Sequence, residues 1–226
     1  MYSLSLLAKI KNKEFIYFTN HIPKHLKENP SGNYKSALLN GAKIIEIDLK
    51  GEELRDYILN LEDENTLIIE EGGRVKESEQ GVKVLAYEIN EYCKKNNLKV
   101  FLPSGTGTTA YFLAKHLDTE VFTVPCVGDK KYLKKQFEWL GGGKIPTILS
   151  PRKKYHFGKL YKELFDLWKE LKIAGIEFDL LYDPIGWDTL LYYGFKNILY
   201  IHQGGIKGNE TMIKRYLYKF GGKGIF

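Results

Sequence analysis

Short apolar runs alternate with amphipathic stretches along the whole chain, and this alternation restricts the fold more than any other feature of the sequence. The runs are Phe15 to Thr19, Ile44 to Asp48, Thr66 to Glu70, Val100 to Pro103, Val121 to Val124, Thr147 to Leu149, Phe178 to Tyr182 and Ile198 to His202. Between them, apolar residues recur at helical spacing: Val82, Leu85, Ile89 and Tyr92 within 77–96, then Leu160, Leu164, Leu167, Trp168 and Leu171. Met212, Ile213, Tyr216, Leu217 and Phe220 form a last such face. Strands that alternate with helices build a mainly parallel sheet covered by helices, so the pattern predicts an α/β fold whose helical stripes are core.

A chain of 226 residues with 43% hydrophobic, 27% charged and 14% aromatic residues is large enough for a sizeable core and too apolar for disorder. No apolar run approaches the ~20 residues needed to cross a bilayer, so no membrane partner is expected. The opening residues Met1 to Lys9 place no basic residue ahead of their short apolar stretch, unlike a signal peptide. Cys93 and Cys126 lack paired or metal-ligand spacing, as do His21, His25, His116 and His156. A cytoplasmic protein without a metal site is therefore expected. The net charge of +6, from 34 basic and 28 acidic residues, reads as a solvated surface. Sixteen tyrosines and the cluster Arg152 to His156 prompt a nucleic-acid reading, but no nucleic-acid motif accompanies them and no such partner is expected.

Ligands in open α/β sheets collect beyond the carboxyl ends of the strands, so three strand-to-helix loops carry the chemical content. The first is Ser104-Gly105-Thr106-Gly107-Thr108-Thr109, between the run ending at Pro103 and the apolar Ala110 to Ala114. Unpaired backbone N–H groups and the positive end of a helix dipole would face an anion there, with hydroxyls as further donors. It has neither the Walker A lysine nor G-x-G-x-x-G spacing, so it suits a cofactor monophosphate, or it is an ordinary turn with a Thr N-cap. The second places Tyr182-Asp183 at the mouth of a predicted strand. Its acid either holds a cationic ring nitrogen, moves a proton, or caps the following helix. The third is His202-Gln203-Gly204-Gly205, where backbone amides could take a carboxylate or form a turn, and where His202 is equally a base or a structural imidazole.

In this order the loops resemble the fold-type II pyridoxal-phosphate enzymes, in their 1-aminocyclopropane-1-carboxylate deaminase and D-cysteine desulfhydrase branch, over nearly the whole chain. Ser104 to Thr109 resembles that family's phosphate loop, and Glu71-Gly72-Gly73 its E-G-G segment. Tyr182-Asp183 resembles its active-site tyrosine and the residue facing the pyridine nitrogen, and His202 to Gly205 its H-T-G-G segment. The resemblance implies two three-layer αβα units of the tryptophan synthase β kind with mainly parallel sheets, an N-terminal one over 1–73 and a cofactor-binding one over 74–226. It implies pyridoxal 5'-phosphate as cofactor, a small amino acid as substrate, a lyase or deaminating hydrolase reaction, and a homodimer. It assigns Ser104, Gly105, Thr106, Gly107, Thr108 and Asp183 to the cofactor, Tyr182 to catalysis, and His202, Gln203 and Gly204 to the substrate. An acid at Asp183 points toward the deaminases, whereas Gln203 in place of threonine leaves the substrate open.

The family's G-N-K-x-R-K segment, which carries the Schiff-base lysine, and the Ser-Asn pair after it have no counterpart here. Gly32-Asn33-Tyr34-Lys35 is not that segment, because Ser36 to Ile45 after it resemble a later stretch with its own Gly-Asn and Gly-Ala. Met1-Tyr2-Ser3-Leu4-Ser5 resembles the interior of the helix that follows the Ser-Asn pair, so the N-terminal unit is expected to be incomplete and the chain inactive by itself. The alternative function is a non-catalytic protein that binds pyridoxal phosphate or another phosphate ligand without the lysine.

Overall fold

A computed structural model describes residues 1–221 of the chain, which divides into two compact units. Unit 1 comprises residues 1–68 and 207–214, and unit 2 comprises residues 69–206 and those from Arg215 onward. Unit 1 holds α1 (Tyr2–Ile10), β1 (Ile16–Thr19), α2 (Lys24–Glu28), α3 (Gly32–Leu39), β2 (Lys43–Glu46) and α4 (Gly51–Leu59). β1 and β2 pair in parallel, from Ile16 opposite Lys43 to Thr19 opposite Glu46. Asn40 ties α3 to α1 by donating to Ser5 Oγ at 3.0 Å.

Unit 2 runs through α5 (Ser78–Lys95), β3 (Lys99–Ser104), α6 (Thr108–His116), β4 (Val121–Pro125), α7 (Lys130–Trp139), β5 (Thr147–Ile148), α8 (Lys162–Ile173), α9 (Asp183–Tyr193) and β6 (Ile198–Tyr200). The helix α10 (Asn209–Phe220) follows, and the division between the units falls within it. The four strands form one parallel sheet in the order β5-β4-β3-β6.

Successive side chains of a strand point to opposite faces, and β3 uses both. Val100 and Leu102 pack with Ala86, Cys93, Leu113 and Ala114 of α5 and α6, whereas Phe101 packs with Phe122, Val124, Leu164, Ile185 and Leu190 on the other face. Burial on both faces is what makes β3 and β4 continuous apolar runs instead of alternating ones. α5 turns Val82, Leu85 and Ile89 of its predicted stripe against the first cluster, whereas Tyr92, the fourth member, is 56% exposed beyond the edge of that packing. It ends where Asn97 takes the left-handed conformation at φ 48° and Leu98 N–H donates to Cys93 O.

Two predicted strands are absent. Thr66 to Glu70 joins no strand ladder among the described residues; Leu67 stays 78% exposed, and the run ends in a 3-10 turn at Glu71–Gly73. Apolar composition alone does not supply the neighbouring edge that a strand needs. In Phe178 to Tyr182 the backbone is satisfied by side chains instead of a ladder. Trp168 Nε1 donates to Phe178 O at 2.7 Å, and the N–H groups of Leu181 and Tyr182 donate to Asp179 Oδ1 at 2.7 and 2.8 Å. Asp183 therefore starts a helix and does not close a strand.

Leu102 is fully buried at the centre of the sheet. Leu102→Ala is expected to cost about 3 kcal/mol, the usual range for a cavity of this kind. Urea unfolding followed by tryptophan fluorescence checks this in unit 2, because all three tryptophans, Trp139, Trp168 and Trp187, lie there.

Candidate active site

The strand order of unit 2 reverses at β3: β4 and β5 lie to one side of it and β6 to the other. Such a switch point opens a crevice outside the carboxyl ends of the flanking strands. The loops leaving β3 and β6 are Ser104 to Gly107 and Ile201 to Gly205, and the start of α9 packs against β3 beside them. A Cβ on Gly186 would lie 3.3 Å from Phe101 Cε1 and 3.4 Å from Pro103 Cβ.

In the first loop, Gly107 is the N-cap of α6 with φ 78°, in the left-handed region that glycine occupies at no steric cost. A Cβ there would come within 2.6 Å of Phe137 and 2.7 Å of Leu133, so the loop lies directly on α7. The first amides of α6 have no partner within the helix and face out of its N-terminus. Thr106 Oγ1 and Thr108 Oγ1 are 3.1 Å apart. The Ser104 hydroxyl is hydrogen-bonded to Thr123 Oγ1 of β4 at 2.6 Å, which ties the start of the loop to the neighbouring strand. Gly72, at φ 71°, presses against Thr106 so closely that a Cβ would fall 2.2 Å from Thr106 Oγ1. Arg74 holds this Glu71–Gly73 turn in place by pairing with Glu70 at 2.5 Å, donating to Gln136 Oε1 and lying 4.2 Å from the centre of the Trp139 ring.

Tyr182 lies beside the same loop, its Cε1 and hydroxyl 3.2 and 3.3 Å from where a Gly105 Cβ would be. Burial pushes the Tyr182 phenol well above its ordinary range, and the neighbouring Cys126, Asp179 and Glu71 add to the effect. Asp183, 1% exposed, forms a reciprocal pair with Asp179: Asp183 N–H donates to Asp179 Oδ2 at 3.1 Å and Asp179 N–H donates to Asp183 Oδ2 at 3.2 Å. The Tyr200 hydroxyl donates to Asp183 Oδ1 at 2.6 Å, and His202 Nδ1 lies 3.6 Å from Asp183 Oδ2. Burial, followed by the charge and hydrogen bond of Asp179, raises the Asp183 carboxyl to about 8. A carboxyl so placed carries a proton at neutral pH.

Gln203 donates its side-chain amide to Pro103 O at 2.8 Å, fastening the third loop to the end of β3. Gly204 and Gly205 both take positive φ, and Gly204 N–H donates to His202 Nδ1 at 3.3 Å. The His202 ring packs on Phe178 at 4.8 Å between centroids and remains one-third exposed. Direct contacts thus join Gly105 to Tyr182 and His202 to Asp183, while Ser104 and Gln203 turn their polar side chains to the sheet. Asp179 and Tyr200 are site residues that the motifs did not single out. Their signals were spacing: Asp179 stands four residues before Asp183, and Tyr200 stands two before His202, on the same side of the strand.

Among the described residues, no group of His, Cys, Asp or Glu is arranged to hold a metal, and no helix is long and apolar enough to cross a membrane. Cys93 and Cys126 are buried free thiols.

No family model and no curated protein match the sequence. Solved structures do match. A structure described as an ACC deaminase homologue superposes with a TM-score of 0.76 at 20% identity, over 96% of this chain and 74% of that one. A hydrogen sulfide-producing enzyme from Fusobacterium nucleatum gives 0.59 at 13% identity, over 88% of this chain and 71% of that one. The processed form of threonine deaminase isoform 2 from Solanum lycopersicum gives 0.55 at 12% identity, over 90% of this chain and 62% of that one. What such distant sequences share is architecture, and the chain has the tryptophan synthase β-like, fold-type II α/β fold.

Proposed function

We propose that this chain binds pyridoxal 5'-phosphate and serves a deaminase or lyase reaction on a small amino acid, of the ACC deaminase or D-cysteine desulfhydrase kind. The observation that carries the reading is the glycine-lined loop at the N-terminus of α6 with Tyr182 against Gly105 and a buried acid at the next residue, Asp183. The residues fit the cofactor. A side chain at Gly105 would crowd the space beside Tyr182, the left-handed Gly107 turns the chain into α6, whose first amides are donors for a phosphate, and Thr106 and Thr108 add hydroxyls. The names of the structures sharing the fold, a deaminase homologue among them, support the same class.

When bound, the cofactor's pyridine ring supplies the electron sink for bonds broken at the amino acid's α-carbon. The chain's own residues divide the remaining work. Gly105 to Thr108 bind the phosphate, and the ring of Tyr182 limits where a ligand can lie. The high position of its phenol keeps the Tyr182 hydroxyl protonated, so it acts as a proton donor before it acts as a base. Asp183 would lie toward the ring nitrogen, where a cationic nitrogen would favour its charged form. His202 and Gly204 border the substrate, and a second copy of the chain is the expected partner.

The deciding experiment equilibrates the chain with pyridoxal phosphate, reads its absorption spectrum, and maps any lysine modified after borohydride reduction. Binding that inorganic phosphate displaces supports the reading; a modified lysine identifies the covalent anchor, and none assigns the chain to the non-catalytic binders. Absence of binding overturns it. Thr106→Val and Thr108→Val are each expected to weaken pyridoxal phosphate and inorganic phosphate alike by roughly ten-fold or more, the worth of one hydrogen bond to a charged acceptor. Calorimetric titration checks this.

Asp183 also predicts a pH dependence. Its carboxyl titrates near 8 when folded and at about 4 when unfolded, so the folded chain holds the extra proton between these values and stability falls as pH rises through that window. The contribution is complete below the window and gone above it. Asp183→Asn is expected to flatten this slope in urea titrations taken from acid to mildly alkaline pH.

A further inference from the structure

Asp183 is enclosed from three sides. Asp179 precedes it on the chain, the Cys126 thiol lies near from the end of β4, and the end of β6 presents Tyr200 and His202, two residues apart. Tyr200, the last residue of β6, and His202 in the loop after it reach the same carboxyl, Tyr200 at Oδ1 and His202 near Oδ2.

The Tyr200 ring is held more firmly than a tyrosine serving only as filler. It stacks on Trp187 with centroids 4.9 Å apart and an angle of 14°, and it packs on Phe101 and edge-on against Phe178. A Cβ on Gly186 would stand 2.8 Å from the Tyr200 hydroxyl, so the helix leaves this position bare and the hydroxyl passes over it to Asp183.

We propose that Tyr200 is the positioning residue for Asp183, fixing Oδ1 and favouring the charged carboxylate that a cationic ring nitrogen requires. The role for that charge rests on the cofactor reading above. The hydrogen bond itself does not. Burial and Asp179 both favour the protonated acid, and the Tyr200 hydroxyl is the side-chain donor that opposes them. His202 lies farther off, at 3.6 Å, and its Nδ1 accepts from Gly204 N–H.

The test compares the full chain with Tyr200→Phe, which retains the stacked ring and deletes the hydroxyl. The Asp183 carboxyl is followed by carbon-13 NMR and identified by the loss of its signal in Asp183→Asn. Its midpoint is expected to move up by roughly one pH unit, the scale of one hydrogen bond to a charged acceptor. Gly186→Ala crowds the hydroxyl without removing it and is expected to shift the midpoint the same way, which keeps the test in hand should Tyr200→Phe fail to fold. An unmoved or lowered midpoint in the variants that fold overturns the proposal. With the cofactor, Tyr200→Phe is expected to weaken pyridoxal phosphate several-fold while leaving inorganic phosphate unchanged; equal weakening of both overturns the role toward the ring. If the unaltered chain binds no pyridoxal phosphate, the cofactor reading fails, and the carboxyl titration still decides the place of Tyr200.

Discussion

The Asp179 carboxylate organises the candidate site. Its two oxygens accept three consecutive backbone N–H groups, those of Leu181, Tyr182 and Asp183. These donors would be unsatisfied at the start of a buried helix, and a carboxylate also suits the positive end of the helix dipole. One interaction thereby satisfies the backbone of an apolar run outside the sheet and begins α9. Its charge then acts on its neighbour. Two buried carboxyls four residues apart resist ionising together, so one of them holds a proton.

The glycine loop depends on absent side chains as much as on present ones. A Cβ on Gly72, Gly105, Gly107 or Gly186 would fall 2.2, 3.2, 2.6 and 2.8 Å from Thr106, Tyr182, Phe137 and Tyr200 respectively. A methyl group at any of these positions would displace the facing group. The Arg74 cluster, with Glu70, Gln136 and Trp139, keeps the Gly72 turn against the loop from behind.

The fold was largely legible because β3 and β4 are buried on both faces, and such strands cannot avoid reading as unbroken apolar runs. Helix α5 was equally plain, since one stripe faces the sheet and the rest faces water. Thr66 to Glu70 and Phe178 to Tyr182 misled for opposite reasons. The first is apolar without an edge to join, and the second has its backbone donors taken by a side chain. Within the site, the glycine loop and the order of motifs were visible, as was Asp183 as an acid of interest. The partners that set its behaviour were not. Tyr200 looks like any core aromatic until the register of β6 brings its hydroxyl to a carboxyl, and the bonds from Ser104 to Thr123 and from Gln203 to Pro103 have no signal in the sequence.

The pairing of β3 with β6 has a consequence for how the molecule comes into being. Lys99 lies opposite Ile198, and Gln203 reaches back to Pro103 across one hundred residues. Contacts between such distant stretches of chain form late, because the loop between them must be closed first. During synthesis the glycine turn and α6 emerge long before the strand that completes their crevice. The nascent chain therefore carries one wall of the crevice, with the carboxyl edge of β3 open, until β6 and the residues after it leave the ribosome.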